Sequence, residues 1–104
     1  MLEEHALQLI QDSLSSLRRA GLVEQEVQVR DETILLGAGS PLDSIAFVTF
    51  VTDLEDRLNR ASDQELFLVL NDIHEFNPDS LFLSAGTLAR YIVKLTGDQV
   101  VRHD

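Results

Sequence analysis

The stretch Leu36-Gly37-Ala38-Gly39-Ser40-Pro41-Leu42-Asp43-Ser44-Ile45 decides how the chain is read, because a glycine-rich turn there ends in an aspartate and a serine that open an apolar helix. Pro41 cannot sit inside a helix, Gly37 and Gly39 mark irregular backbone, and Asp43 is a strong N-cap for the periodic segment that begins at Ser44. Ser44 therefore falls in the first helical turn. Unpaired backbone N–H groups and the positive end of the helix dipole would there favour a phosphate attached to its hydroxyl. The plainer reading is that Asp43 and Ser44 only cap a helix.

The surroundings of this pair carry further information. Asp31-Glu32-Thr33-Ile34-Leu35-Leu36-Gly37 precedes it, and Val48, Phe50, Val51 and Leu54-Glu55-Asp56-Arg57-Leu58 follow, with Ser84-Ala85-Gly86-Thr87-Leu88-Ala89-Arg90-Tyr91-Ile92 further on. On these residues the chain resembles the acyl carrier protein family. The resemblance covers most of the chain, except a stretch between about Asn59 and Phe82. It implies an all-α fold, a bundle of three main helices plus a short helix, with a long first loop. In that family an Asp-Ser-Leu or Asp-Ser-Ile triplet starts the second helix, and its serine bears a phosphopantetheine arm.

The resemblance therefore assigns Ser44 as the attachment site and Asp43 as the residue that caps the helix and presents the serine. It implies a separate phosphopantetheinyl transferase that, with Mg²⁺, binds coenzyme A and activates the Ser44 hydroxyl to attack the β-phosphorus. The arm ends in a thiol that carries an acyl group as a thioester. Where the fatty-acid-synthesis type has acidic residues shortly after the serine, this chain has Ala46 and Thr49, and Thr52 stands where a methionine is common. Partners are accordingly expected to be the acyl-loading and acyl-using enzymes, with basic docking patches, of a specialised lipid or secondary-metabolite pathway.

Composition sets independent bounds. The 104 residues suit one domain with a single modest core. Eighteen acidic against eight basic residues give a formal charge of −10, which disfavours nucleic acid and anionic lipid as partners and favours surfaces rich in Lys or Arg. No cysteine is present, so a carrier must take its thiol from a prosthetic group. Met1-Leu2-Glu3-Glu4 lacks the basic and apolar regions of a signal peptide, and no apolar run approaches membrane-spanning length. A monomeric, cytoplasmic protein is expected.

Helix one is expected over 1–20, from the helical spacing of Leu7, Ile10, Leu14 and Leu17, with Glu3 and Glu4 first, Arg18 and Arg19 last and Gly21 as the stop. Residues 21–43 read as a long loop whose Val27, Val29, Ile34, Leu35 and Leu36 enter the core. The alternation Val27-Gln28-Val29-Arg30 suggests a strand, but nothing nearby pairs with it. Helix two is expected over 44–60, with Phe47, Phe50, Val51, Leu54 and Leu58 facing the core. Ile45, Val48 and Thr52 fall on a second face beside Ser44. With Asp53, Glu55 and Asp56 they form the candidate docking surface.

Residues 61–83 form an insertion about a dozen residues longer than the corresponding connection in the family. There either Asp63-Gln64-Glu65 opens a turn of helix or Leu66-Phe67-Leu68-Val69-Leu70 runs extended, and Asn71 or Asp72 caps a brief helix through Ile73 and Phe76, ended by Asn77 and Pro78. The last helix is expected over 84–96, burying Leu88, Tyr91, Ile92 and Leu95 and ending at Gly97, with a frayed tail over 97–104.

Other chemistries find little support. His5, His74 and His103 sit on separate segments without metal-ligand spacing, so no metal site is expected. The glycine turn matches neither a nucleophile elbow, nor a P-loop, nor a dinucleotide fingerprint, and no catalysis by this chain alone is expected. Two alternatives to the acyl carrier stay open: an aminoacyl or peptidyl carrier, and a non-catalytic helical adaptor of the same fold. A helix-turn-helix DNA-binding domain is disfavoured by the charge.

Overall fold

The computed structural model describes residues 2–37, 40, 42–62, 65–68 and 83–101, with the backbone alone at Ser44 and 97–101. Helix α1 spans Glu3–Arg19, α2 spans Ser44–Ser62 and α3 spans Ala85–Val101. Strands β1 (Ile34–Leu36) and β2 (Leu83–Ser84) form a two-stranded antiparallel sheet. Helix α1 packs against both of the others, which makes it the central member of the bundle.

The apolar stripe of α1 buries Ala6, Ile10, Leu14 and Leu17, and the hydroxyl-bearing Ser13 lies buried among them. Its acidic first turn and basic last turn complement the helix dipole. The helix stops as expected at Gly21, whose φ of 82° is open to glycine and strained for other residues. Gly21 N–H donates to the Arg18 carbonyl and Leu22 N–H to that of Leu17, the paired bonds of a Schellman cap.

The purely helical expectation is corrected by the sheet. Ile34 pairs with Ser84 and Leu36 with Leu83, across an irregularity in register. Strands of three and two residues so far apart in the chain carry no periodicity of their own. The strand suggested by Val27–Arg30 does not form. Instead the Gln11 carboxamide stands in for a neighbouring peptide, donating to the Val27 carbonyl at 2.8 Å and accepting from Val29 N–H at 2.9 Å. That explains the alternation: Val27 and Val29 are half-buried against the core, while Gln28 and Arg30 are exposed. Leu35 is buried as expected, but Leu36 is exposed.

In α2 the helical phase agrees with the sequence reading: Phe47, Phe50, Leu54 and Leu58 are buried and Val51 is half-buried. Helix α3 buries Ala85, Leu88, Ala89, Tyr91 and Ile92, and Leu95 packs at the core's margin. Two boundaries are corrected. Helix α2 continues to Ser62 rather than ending near residue 60, and α3 continues through Gly97 to Val101. A glycine costs a helix only about 1 kcal/mol, so Gly97 is too weak a signal to end one.

The long first loop is anchored to the start of α3. Ala85 N–H donates to the Thr33 carbonyl at 2.7 Å and Gly86 N–H to that of Asp31 at 2.9 Å, while Ser84 Oγ accepts from Thr87 N–H at 3.2 Å. These bonds occupy amides that a helix start leaves without helical partners. The approach is close enough that a Cβ on Gly86 would lie 2.9 Å from the Asp31 carbonyl oxygen.

Within the expected insertion, Leu66 and Leu68 are buried and Phe67 is exposed. Two side chains one turn apart on α2 hold this segment. Asn59 Oδ1 accepts from Leu66 N–H at 2.6 Å, and Glu55 Oε2 accepts from Leu68 N–H at 2.9 Å. The short helix expected near Ile73 and Phe76 lies outside the described residues.

Candidate functional site

Asp43 precedes α2, and its carbonyl accepts the first helical bond, from Phe47 N–H at 2.8 Å. Its carboxylate oxygen Oδ1 accepts from Ala46 N–H at 2.7 Å. Asp43 is thus the N-cap and Ser44 the first residue of the helix, as the sequence suggests. Within α2 the first turn holds no acidic residue, so Asp43 supplies the carboxylate that complements the positive end of the helix dipole.

The other serine of the turn is occupied. Ser40 Oγ donates to the Leu35 carbonyl at 2.7 Å and accepts from Leu42 N–H at 3.1 Å. Ser40 therefore ties the end of β1 to the entry of α2, and with buried Leu42 it fixes where Asp43 stands.

Beyond Ser44, the outer face of α2 carries Ile45 and Val48, 72% and 61% exposed. Thr49 and Thr52 lie beside them, their hydroxyls donating back to the Ile45 and Val48 carbonyls at 3.0 Å each. With those donors engaged inside the helix, the face is less polar than its composition suggests. A shallow depression lined by Val48, Thr49, Thr52, Asp53 and Asp56 runs along it. Ala46 is buried, so it belongs to the core and not to this face.

The three carboxylates expected to dock partners differ from one another. Asp53 is half-buried: its Oδ2 accepts from the buried Ser13 hydroxyl at 2.7 Å and pairs with Arg57 Nε at 2.7 Å, joining α1 to α2. Glu55 holds Leu68. Asp56 alone is well exposed, and it pairs with Arg60 at 2.8 Å. The spacing of Asp53 and Asp56 four residues before an arginine was visible in the sequence. So was the polar Ser13 within the apolar series Ile10, Leu14 and Leu17. Only the fold shows that Ser13 meets Asp53.

A cleft of about 330 Å³ is lined by Asp43 together with Leu22, Val23, Glu24 and Gln25 from the turn after α1. Sequence reasoning passed over these residues. The available signal was Leu22 directly after Gly21, where a Schellman cap commonly places an apolar side chain.

No family model, curated protein or solved structure matches the chain.

Among the described residues no group of His, Cys, Asp and Glu is arranged to hold a metal ion, and no helix is long and apolar enough to cross a membrane. His5 is exposed, while His74 and His103 lie outside the described residues.

Proposed function

We propose that the protein is an acyl carrier, with Ser44 as the attachment point of a phosphopantetheine arm. The observation that carries this reading is the position of Ser44: it opens a helix capped by the Asp43 carboxylate and borders a face that exposes Ile45 and Val48. A phosphodiester on the first residue of α2 meets the positive end of the helix dipole. The apolar face beside it offers a contact surface to the enzymes that load and use the arm.

In the attachment step, Ser44 Oγ forms a bond to the β-phosphorus of coenzyme A. The bond from that phosphorus to the bridging oxygen breaks, adenosine 3′,5′-bisphosphate leaves, and the serine proton passes to a base of the transferase. When bound, the group supplies a thiol that holds an acyl chain as a thioester. Asp43 keeps the helix start in place, and Ile45, Val48, Thr52 and Asp56 meet the partner enzymes. Asp53 and Glu55 act one step back, by holding α1 and the Leu66–Leu68 segment against α2.

Intact mass tests the reading. After incubation with coenzyme A, Mg²⁺ and a broad-specificity phosphopantetheinyl transferase, the wild type and Ser40→Ala each gain one phosphopantetheine, and Ser44→Ala gains none. A wild type that stays unmodified, under conditions that load a known carrier, supports the adaptor instead. Incubation of the arm-bearing form with acyl- or aminoacyl-loading enzymes then separates the acyl carrier from the aminoacyl or peptidyl carrier.

A further inference from the structure

The cleft lined by Asp43 and the turn after α1 shares only Asp43 with the cap of α2, and no described residue with the depression on the outer face of that helix. We propose that it is a resting site for the neutral, amide-bearing portion of the arm, an inference that rests on the carrier reading above.

Position argues for it first. Asp43 is both the cap of α2 and a wall of the cleft, and the attachment residue is its immediate neighbour in the chain. The attachment residue thus follows a wall residue of the cleft directly in the chain, well within the reach of an arm of pantetheine length. A cleft of about 330 Å³ lies at the small end of the roughly 300–1,000 Å³ found for ligand sites, which suits a slender chain.

Chemistry selects which part of the arm enters. Glu24 and Asp43 place two carboxylates on the walls, which disfavour a phosphodiester inside the cleft. Beyond the phosphate the pantetheine chain is uncharged, with a geminal dimethyl group, a hydroxyl and two amides. Leu22, 39% exposed, offers the dimethyl group an apolar contact. The exposed Gln25 carries both a donor and an acceptor, as each amide of the arm does. The wall is held firm from behind: Gly21 and Leu22 are tied to α1 by the Schellman bonds, and Val23 is buried in the core.

The site has a use in a carrier. A loosely held arm spends part of its time off the outer face of α2 and is released when a partner competes for it, so loading is confined to encounters.

The experiment is NMR on isotope-labelled protein before and after attachment of the arm, with intact mass recorded on each sample. The expected result is nuclear Overhauser contacts from the arm's dimethyl protons to the methyl groups of Leu22 and Val23. Leu22→Asp and Gln25→Ala, both at exposed positions, should each keep the arm on Ser44 and lose or weaken those contacts. Gln25→Ala serves alone if Leu22→Asp fails to fold. Full modification by mass with no contact between the arm and residues 22–25 overturns the resting site and leaves the carrier reading intact. Absence of the mass gain overturns both.

Discussion

A single carboxylate sets the geometry at Ser44, because Asp43 Oδ1 is what the Ala46 amide donates to at the start of α2. Asp43→Ala is expected to cost about 1 kcal/mol in urea unfolding, and Asp43→Asn only part of that, since asparagine caps nearly as well. Asp43 was legible in the sequence because capping is local chemistry. The two glycines that shape the fold test different physics. At Gly21 an added Cβ would meet nothing within 4 Å, so the cost of Gly21→Ala is conformational, about 1 kcal/mol, and Gly21→Asn should recover much of it. At Gly86 the obstacle is the Asp31 backbone. Gly86→Ala should cost about 1–3 kcal/mol, and Gly86→Asn at least as much, because no backbone preference relieves an overlap. Unfolding midpoints of the four variants separate the two cases. Nothing near Gly86 in the sequence announces that Asp31 passes over it.

The helices themselves were legible because each carries a period near 3.6 over many residues, enough to fix which side of α2 faces inward. That phase has an energetic signature. Leu54→Ala, at a fully buried position, is expected to lose about 2–5 kcal/mol of stability, whereas Val48→Ala on the open face changes it by less than about 0.5 kcal/mol. Chemical denaturation of the two variants checks this, and a reversed order would mean that α2 is rotated from the arrangement described. The sheet was not legible, for the opposite reason: its strands are too short to show a period, and their partners are set by the packing of three helices. Gln11 adds a second lesson. A strand-like alternation at Val27–Arg30 reports a backbone held at regular intervals, and a single carboxamide holds it as well as a neighbouring strand would.

At the scale of the whole molecule, the formal charge of −10 acts at a distance, while the outer face of α2, the contact face under the proposed carrier function, exposes the apolar Ile45 and Val48. Encounter and contact should therefore separate experimentally. Raising salt from about 0.01 M, where charges are felt over about 30 Å, to above 0.1 M, where the range falls below about 10 Å, should slow modification of Ser44 by a basic transferase. Ile45→Glu should slow it at every salt concentration, because it alters the contact face itself. Rates of mass gain across a salt series check both expectations. The net charge was plain in the sequence, but its local cancellation was less so. Asp53 with Arg57 and Asp56 with Arg60 leave the middle of α2 closer to neutral than a count of its acids implies. The seal between the first loop and α3 reaches further still. The amides of Ala85 and Gly86 close on carbonyls of Thr33 and Asp31, and α1 packs on α3 as well as on α2. Helix α1 thus waits for α3, which is translated after it. A nascent chain that has reached only residue 82 lacks the α3 side of the α1 interface and leaves its long loop unsealed, so stable folding is expected to follow the emergence of α3 from the exit tunnel. Until then its apolar side chains are exposed to whatever chaperones attend the growing chain.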